Sequence, residues 1–243
     1  SQRAMVTDFA RKNLPPSAAY PFGTDWMGRD MLLRTLSGLS MSIRIGLLTA
    51  TVSAAIAFCL GAAAAVFGRG VDAAISWVID LMMGIPHMLL LILVSFAVGK
   101  GFHGVVIGIM STHWMSLARL IRGEILQLRS STYVQVAQKL GVGRLGIVKS
   151  HMAPHLLPQL LVGLVLLFPH AILHEAGITF LGFGLPPEQP AIGIILSESM
   201  QHLAAGRWWL AVFPGVSLVA VVMLFDAMGN ALRRLTDPAS LHR

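Results

Sequence analysis

The sequence predicts an all-α membrane protein, a polytopic helical bundle, and three observations carry that prediction. Apolar residues make up 55% of the 243 residues and charged residues only 12%, where a soluble domain carries about 25% charged residues. Mean hydropathy is strongly positive, +0.73. The apolar residues gather into five long segments, each near the roughly 20 residues that a helix needs to cross a bilayer. The longest polar interruption between them, residues 130–158, is too short to be a domain. Residues 1–243 therefore read as one transmembrane domain.

Residues 1–44 are polar, with Arg3, Arg11, Lys12, Arg29, Arg34 and Arg44 set against Asp8, Asp25 and Asp30. From Asp30 onward, DMLLRTLSGLSMSIR has the pattern of an amphipathic helix lying at the interface. Residues 45–129 hold three spans. The first, about 45–68, is rich in Ala, Gly and Ser, which lets helix backbones approach closely. A tight turn from Arg69 to Asp72 leads to the second, about 74–99, where Pro86 predicts a kink. After Lys100–His103 comes the third, about 104–120 and the least apolar. Residues 157–243 hold the fourth span, about 157–181, and the fifth, about 208–228. Between these lie a Gly/Pro-rich loop (GFGLPPEQPAIG) and an amphipathic stretch over 192–207. A basic tail with Arg233 and Arg234 follows.

The polar interruption reads as a handle between spans. Tyr133, Val136, Ala137 and Leu140 share one helical face at i, i+3, i+4, i+7 spacing. Gly141 and Gly143 end that helix, because glycine adopts the dihedrals a helix C-terminus needs. A second short helix is expected to run on to Pro154 and Pro158. Parity puts the handle and residues 1–44 on opposite sides of the membrane. Basic residues are nearly balanced between the two, and the basic tail tips the handle towards the cytoplasm.

The formal charge of +7 raises nucleic acid as a partner. The basic residues, however, fall in loops between spans, with no aromatics interleaved as base-stacking platforms. Lipid headgroups or a cytoplasmic protein fit better, and no nucleic acid is expected. The single Cys59 excludes an intrachain disulfide, and the N-terminus has no cleavable signal-peptide pattern.

No residue set is equipped to hydrolyse ATP, so the chain itself is expected to be non-catalytic and to bind no cofactor. Gly141, Gly143 and Gly146 match GxGxxG but follow a helix rather than a strand. Lys149 stands two residues late for a phosphate loop beginning at Gly141. His174-Glu175 opens an HExxH pattern, but Ile178 occupies the place of the second histidine, so a catalytic zinc is not held.

The histidines are the chemistry-bearing feature of the spans. His170 and His174 are one helical turn apart in the fourth span, with Glu175 adjacent; His113 lies in the third and His87 follows Pro86. Ionisable groups at membrane depth face a bundle interior or a water-filled path. Two imidazoles at i, i+4 could share a metal, since imidazole suits nickel, zinc and copper. His170 and His174 are thus transient metal candidates, and no firm metal site is assigned. The alternative is that they hydrogen-bond across helices and pack. His103, His202 and His242 are expected in loops, and His151 and His155 on the handle's exit. A proton-coupled secondary transporter working through Glu175 and the histidines is the rival of another class. Such folds usually show inverted repeats, and the sequence has none.

The handle resembles the EAA loop of ABC importer permeases, with Gln135, Val136, Ala137, Gly141, Met152 and Pro154 at the pattern's places. Gln135 replaces its leading Glu and Val136 its first Ala. Two more stretches resemble the dipeptide/nickel class of these permeases. One is Phe22-Gly23-Thr24-Asp25 with Gly28-Arg29-Asp30; the other is Phe180-Leu181-Gly182-Phe183-Gly184 with Pro186-Pro187. The resemblance implies a type I ABC importer permease, with a sixth span expected before residue 1. It implies ATPase docking through Gln135, Val136, Ala137, Leu140 and Gly141. Binding-protein contact would fall on Phe22, Gly23, Thr24, Asp25, Gly28, Arg29 and Asp30, and the translocation path on His113, His170, His174 and Glu175. Implied partners are a homologous second permease, two ATPases that bind ATP and Mg, an extracytoplasmic solute-binding protein and the lipid bilayer of the inner membrane. Nickel or a metal chelate is the first expected cargo, because nickel carriers of this class place histidines similarly; di- or oligopeptides are the second.

Overall fold

The computed structural model describes residues 6–236, without the side chains of Arg144, Leu145, His151 and Thr236. Arg3 and His242 lie outside the described residues. Helices carry the whole architecture; among the described residues the extended pairing is one isolated bridge, Thr24 to Asp30. The helices are α1 (Met31–Val66), α2 (Arg69–Met83), α3 (His87–Val98), α4 (Phe102–Thr112) and α5 (Met115–Arg129). Next come α6 (Thr132–Lys139), α7 (Arg144–Ile147), a π turn (Val148–Met152), α8 (Ala153–Phe180), α9 (Ile192–Leu203) and α10 (Trp209–Thr236).

Among the described residues, four helical stretches are long and apolar enough to cross a membrane: Met31–Val66, Phe102–Arg129, Ala153–Phe180 and Trp209–Leu235. The pair α2 and α3, bent by 99° at their junction, brings the number to the expected five when it is counted as one span. Several boundaries move. The interfacial helix predicted from Asp30 is the beginning of α1, not a separate element. No proline interrupts residues 31–66, so the 36 residues form one rod of about 54 Å at 1.5 Å per residue. That exceeds the ~30 Å hydrocarbon core, which leaves room for the polar first turns outside it.

The bend expected at Pro86 falls at the α2–α3 break, where Pro86 stands just before α3 and its carbonyl accepts from Leu90 N at 3.0 Å. The third span extends past residue 120, because α5 continues to Arg129 with its polar side paired. The second short helix expected after Gly143 is not separate either. α7 runs through the π turn into α8, so Pro154 and Pro158 stand inside a continuous helical run, Pro154 just after the π turn where the regular i→i−4 bonding is already interrupted. His103 and His202, expected in loops, stand on α4 and α9.

The chain divides into two compact units. One comprises Ser1–Leu48, Leu91–Ile109 and Pro169–Leu224; Met31, Ile45, Leu91, Ile172 and Ile192 are among its buried side chains. Within it, Gly193 lets α9 lie directly on the Ala176 carbonyl of α8. The other comprises Thr49–Leu90, Met110–Phe168 and Phe225–Arg243, with Ile79, Ile121, Ile125, Met152 and Leu156 buried. There Gly61 brings α1 against the Ala118 carbonyl of α5, and Gly163 of α8 receives the Leu117 side chain. Small residues thus mark the close helix contacts of both units.

Candidate functional site

The handle is built by a helix end that its sequence encodes locally. Gly141, at φ +84°, donates its N–H to the Gln138 carbonyl at 3.0 Å, and Val142 donates to that of Ala137 at 3.1 Å. These two bonds form the Schellman pattern that closes a helix on a left-handed residue. α6 has two apolar sides. Val134 and Ala137 are buried in the chain, Ala137 at 8% exposure. Tyr133, Val136 and Leu140 face outward, Leu140 at 78%. Of the expected docking residues, Val136 and Leu140 are therefore displayed, Gly141 ends the helix and Ala137 holds it down. Gln135 is exposed and turns its Nε2 to the Ser130 carbonyl at 3.1 Å.

Beside the handle, α5 sends three guanidiniums to the elements before it. Arg122 meets Asp72 through two bonds, Nε–Oδ1 at 2.5 Å and Nη2–Oδ2 at 2.6 Å. Arg119 pairs with Asp80. Arg129 Nη1 donates to the Ala65 carbonyl in the last turn of α1 at 2.5 Å, the end of a helix where a cation is favoured. A cavity of about 260 Å³ lies under the handle, lined by Val66, Arg129, Gln138, Val142, Ile147, Val148 and Met152. Sequence reasoning counted these arginines only as basic charge near the handle and missed Asp72 and Asp80 as partners. The signal was present: Arg119, Arg122 and Arg129 share one face of α5, and Asp72 and Asp80 share one face of α2.

The polar groups of the spans occupy different settings. Glu175 is fully buried on α8 and accepts from Thr179 Oγ1 at 3.0 Å. The same hydroxyl oxygen accepts from Leu185 N at 3.3 Å, which ties the loop after α8 to the carboxyl. His170 is exposed, and His174 Nδ1 lies 2.7 Å from the His170 carbonyl. The neighbouring histidines are thus joined by ring to backbone, and that nitrogen of His174 is engaged. His113 is buried at the break between α4 and α5, with Nδ1 3.2 Å from Thr112 Oγ1. Its ring stands edge-on to His87, centroids 4.9 Å apart. His155 is exposed on the handle's exit.

The stretch from Phe22 to Asp30 is held together by contacts within the chain, with Thr24, Asp25 and Arg29 buried and Phe22 and Asp30 half-buried. Asp25, fully buried, accepts from Arg29 Nε at 2.6 Å and from Arg34 Nη1 at 2.7 Å. Its other oxygen takes the N–H groups of Met27 and Arg29 at 2.8 and 3.0 Å. Arg34 continues to Glu198 of α9 at 2.9 Å. Both guanidiniums also lie over the Trp26 ring, at 5.3 and 5.8 Å. Thr24 Oγ1 bonds the Arg11 carbonyl and Leu14 N. Asp30 caps α1 by accepting from Leu32 N and Leu33 N at 2.8 and 3.2 Å. Phe22 stacks on Phe213 at 4.6 Å. Gly23 and Gly28 take positive φ with the carbonyls of Leu14 and Asp8 against them, where a side chain has no room. Burial of two guanidiniums demands a carboxylate hub, and that demand turns the motif inward.

Comparison with known proteins adds the wider frame. Residues 57–239 match the family described as binding-protein-dependent transport system inner membrane component. The dipeptide transport system permease protein DppC of Bacillus subtilis is 29% identical over 227 residues, covering 93% of this chain and 71% of that protein. A Brucella suis protein named for peptide transport system permease activity is 36% identical over 224 residues, 92% of this chain and 75% of its own. Among solved structures, an inward-facing form of the MetNI methionine ABC transporter superposes with a TM-score of 0.69 at 17% identity, over 85% of this chain and 98% of that one. At that identity the likeness concerns the fold, and it is the type I importer permease fold.

Proposed function

The chain belongs to the family of binding-protein-dependent transport system inner membrane components, a multi-pass permease subunit of an ABC importer, and we propose that it forms half of a translocation path for di- or oligopeptides. The observation that carries the reading is the outward apolar face of α6, Tyr133, Val136 and Leu140, on a short helix fixed at both ends. A rigid knob of that kind seats in a cleft of an ATPase subunit and receives the closure of two ATPases on ATP and Mg. The remaining partners of the proposal are a homologous second permease, which completes the pore wall, and an extracytoplasmic solute-binding protein. The inward-turned Phe22–Asp30 stretch gives shape to the surface that meets the binding protein without offering its own charges. His113, His170, His174 and Glu175 are the candidate polar lining of the path.

Peptide cargo has more support than nickel, the first expectation from the histidines. Relatives covering most of this chain are named for peptide transport. The test uses the complete complex in membrane vesicles, with Val136→Asp/Leu140→Asp in this chain. Wild type should take up labelled di-alanine on addition of ATP. The variant should insert at a normal level, lose the ATPase subunit on purification, and lose uptake at least tenfold. Uptake that follows an imposed proton gradient without ATP, or a variant that keeps its ATPase, overturns the reading.

A further inference from the structure

We propose that the arginine face of α5 is the rigid link that carries a displacement of the handle to α1 and α2, with Arg122 as the positioning residue at its centre. The inference rests on the handle being the ATPase-docking element, and it adds how a push on that element leaves it.

Only Ser130 and Ser131 separate α5 from α6, and the junction has no slack. Ser130 Oγ and Ser131 Oγ donate back to the Gln127 and Leu128 carbonyls at 2.7 and 2.5 Å. Their backbone N–H groups bond the same two carbonyls, at 3.1 and 3.0 Å. A displacement of α6 is therefore handed to α5. On α5, Arg119, Arg122 and Arg129 fall at i, i+3 and i+10, within about 80° of one another on a helix with 3.6 residues per turn. Each reaches an element earlier in the chain: Asp80 and Asp72 on α2, and the Ala65 carbonyl closing α1. Beneath them Gly61 of α1 lies against the Ala118 carbonyl. The face therefore combines close backbone contact with three polar ties.

Arg122 differs from the other two in the kind of tie. Two parallel N–H···O bonds to one carboxylate fix the angle of the guanidinium as well as its position, which one ammonium cannot do. Asp72 sits in the first turn of α2, where the helix end itself favours a carboxylate, so the anchor stays charged and in place. A single surface pair adds little stability. A link that transmits motion needs direction, and the bidentate pair supplies it.

The experiment compares Arg122→Gln, Arg122→Lys, Asp72→Asn and the exchange Asp72→Arg/Arg122→Asp in the full complex reconstituted with its ATPases and binding protein. Three quantities are read: ATPase subunit retained, ATP hydrolysed with and without binding protein plus di-alanine, and di-alanine taken up per ATP. Arg122→Gln and Asp72→Asn should retain the ATPase and its basal hydrolysis, while stimulation disappears and uptake per ATP falls at least tenfold. Arg122→Lys should fall between them and wild type, and the exchange should recover at least a third of wild-type uptake per ATP. Unchanged uptake per ATP in Arg122→Gln overturns the link. So does loss of the ATPase from that variant, which makes the arginine a part of assembly. The docking reading fails separately, through an ATPase that stays bound when Leu140 is replaced by Asp.

Discussion

Asp25 accepts four hydrogen bonds, two from guanidiniums and two from backbone N–H groups, in a place without water exposure. Removing it leaves Arg29 and Arg34 charged and buried around one carboxylate fewer, a loss of about 3–5 kcal/mol. Asp30, five residues on, only caps α1, and a cap is worth about 1 kcal/mol. Asp25→Ala should therefore lower the thermal unfolding midpoint in detergent several times more than Asp30→Ala. Equal shifts would mean that the cluster is held by packing and not by its carboxylate. At this scale the sequence revealed that the motif exists but not which way it faces. Arg34 finds Glu198 at a separation of 164 residues, and no spacing rule connects those positions. Gly141 is the opposite case: its turn depends on its own backbone freedom and neighbouring carbonyls, so it was legible.

Helices were legible in number and less so in extent, for a physical reason. An apolar run announces a span, whereas the rod continues as long as its backbone bonds do, so α1 absorbed the amphipathic turns after Asp30 and α5 outran the apolar stretch. Contacts between rods were less legible still, because a glycine in a span is silent about what lies over it. Gly61 and Gly123 make the point. A Cβ on Gly61 would stand 2.6 Å from the Ala118 carbonyl oxygen, while one on Gly123 meets nothing within 4 Å. Gly61→Ala must push α1 off α5 and should cost about 1–3 kcal/mol, the range for overpacking. Gly123→Ala relieves a helix of its poorest ordinary former and should gain up to about 1 kcal/mol. Opposite shifts in the unfolding midpoint of the two variants would confirm that α1 and α5 touch through backbone; shifts of the same sign would refute it.

The whole chain presents much apolar surface that its own helices leave uncovered. Only 17% of the most apolar window of α10 is buried, against 67% for Phe102–Arg129, so α10 leaves its apolar side chains open on the chain's surface while Phe102–Arg129 is covered by the chain itself. Cargo is a property of the assembled path, which is why it was the least legible part of the sequence. The histidines argued for nickel on their identity, yet identity does not say which cargo passes them. Uptake of radioactive nickel and of labelled di-alanine separates the two cargoes, in cells holding the complete complex with wild type or His170→Ala/His174→Ala. With peptide cargo, di-alanine enters and is competed by other dipeptides, nickel does not enter, and the double variant keeps at least half of the peptide flux. Nickel entry that the double variant abolishes at normal protein level would instead make those imidazoles stations for a metal, because only then would removing two nitrogen ligands stop the cargo without unseating the protein.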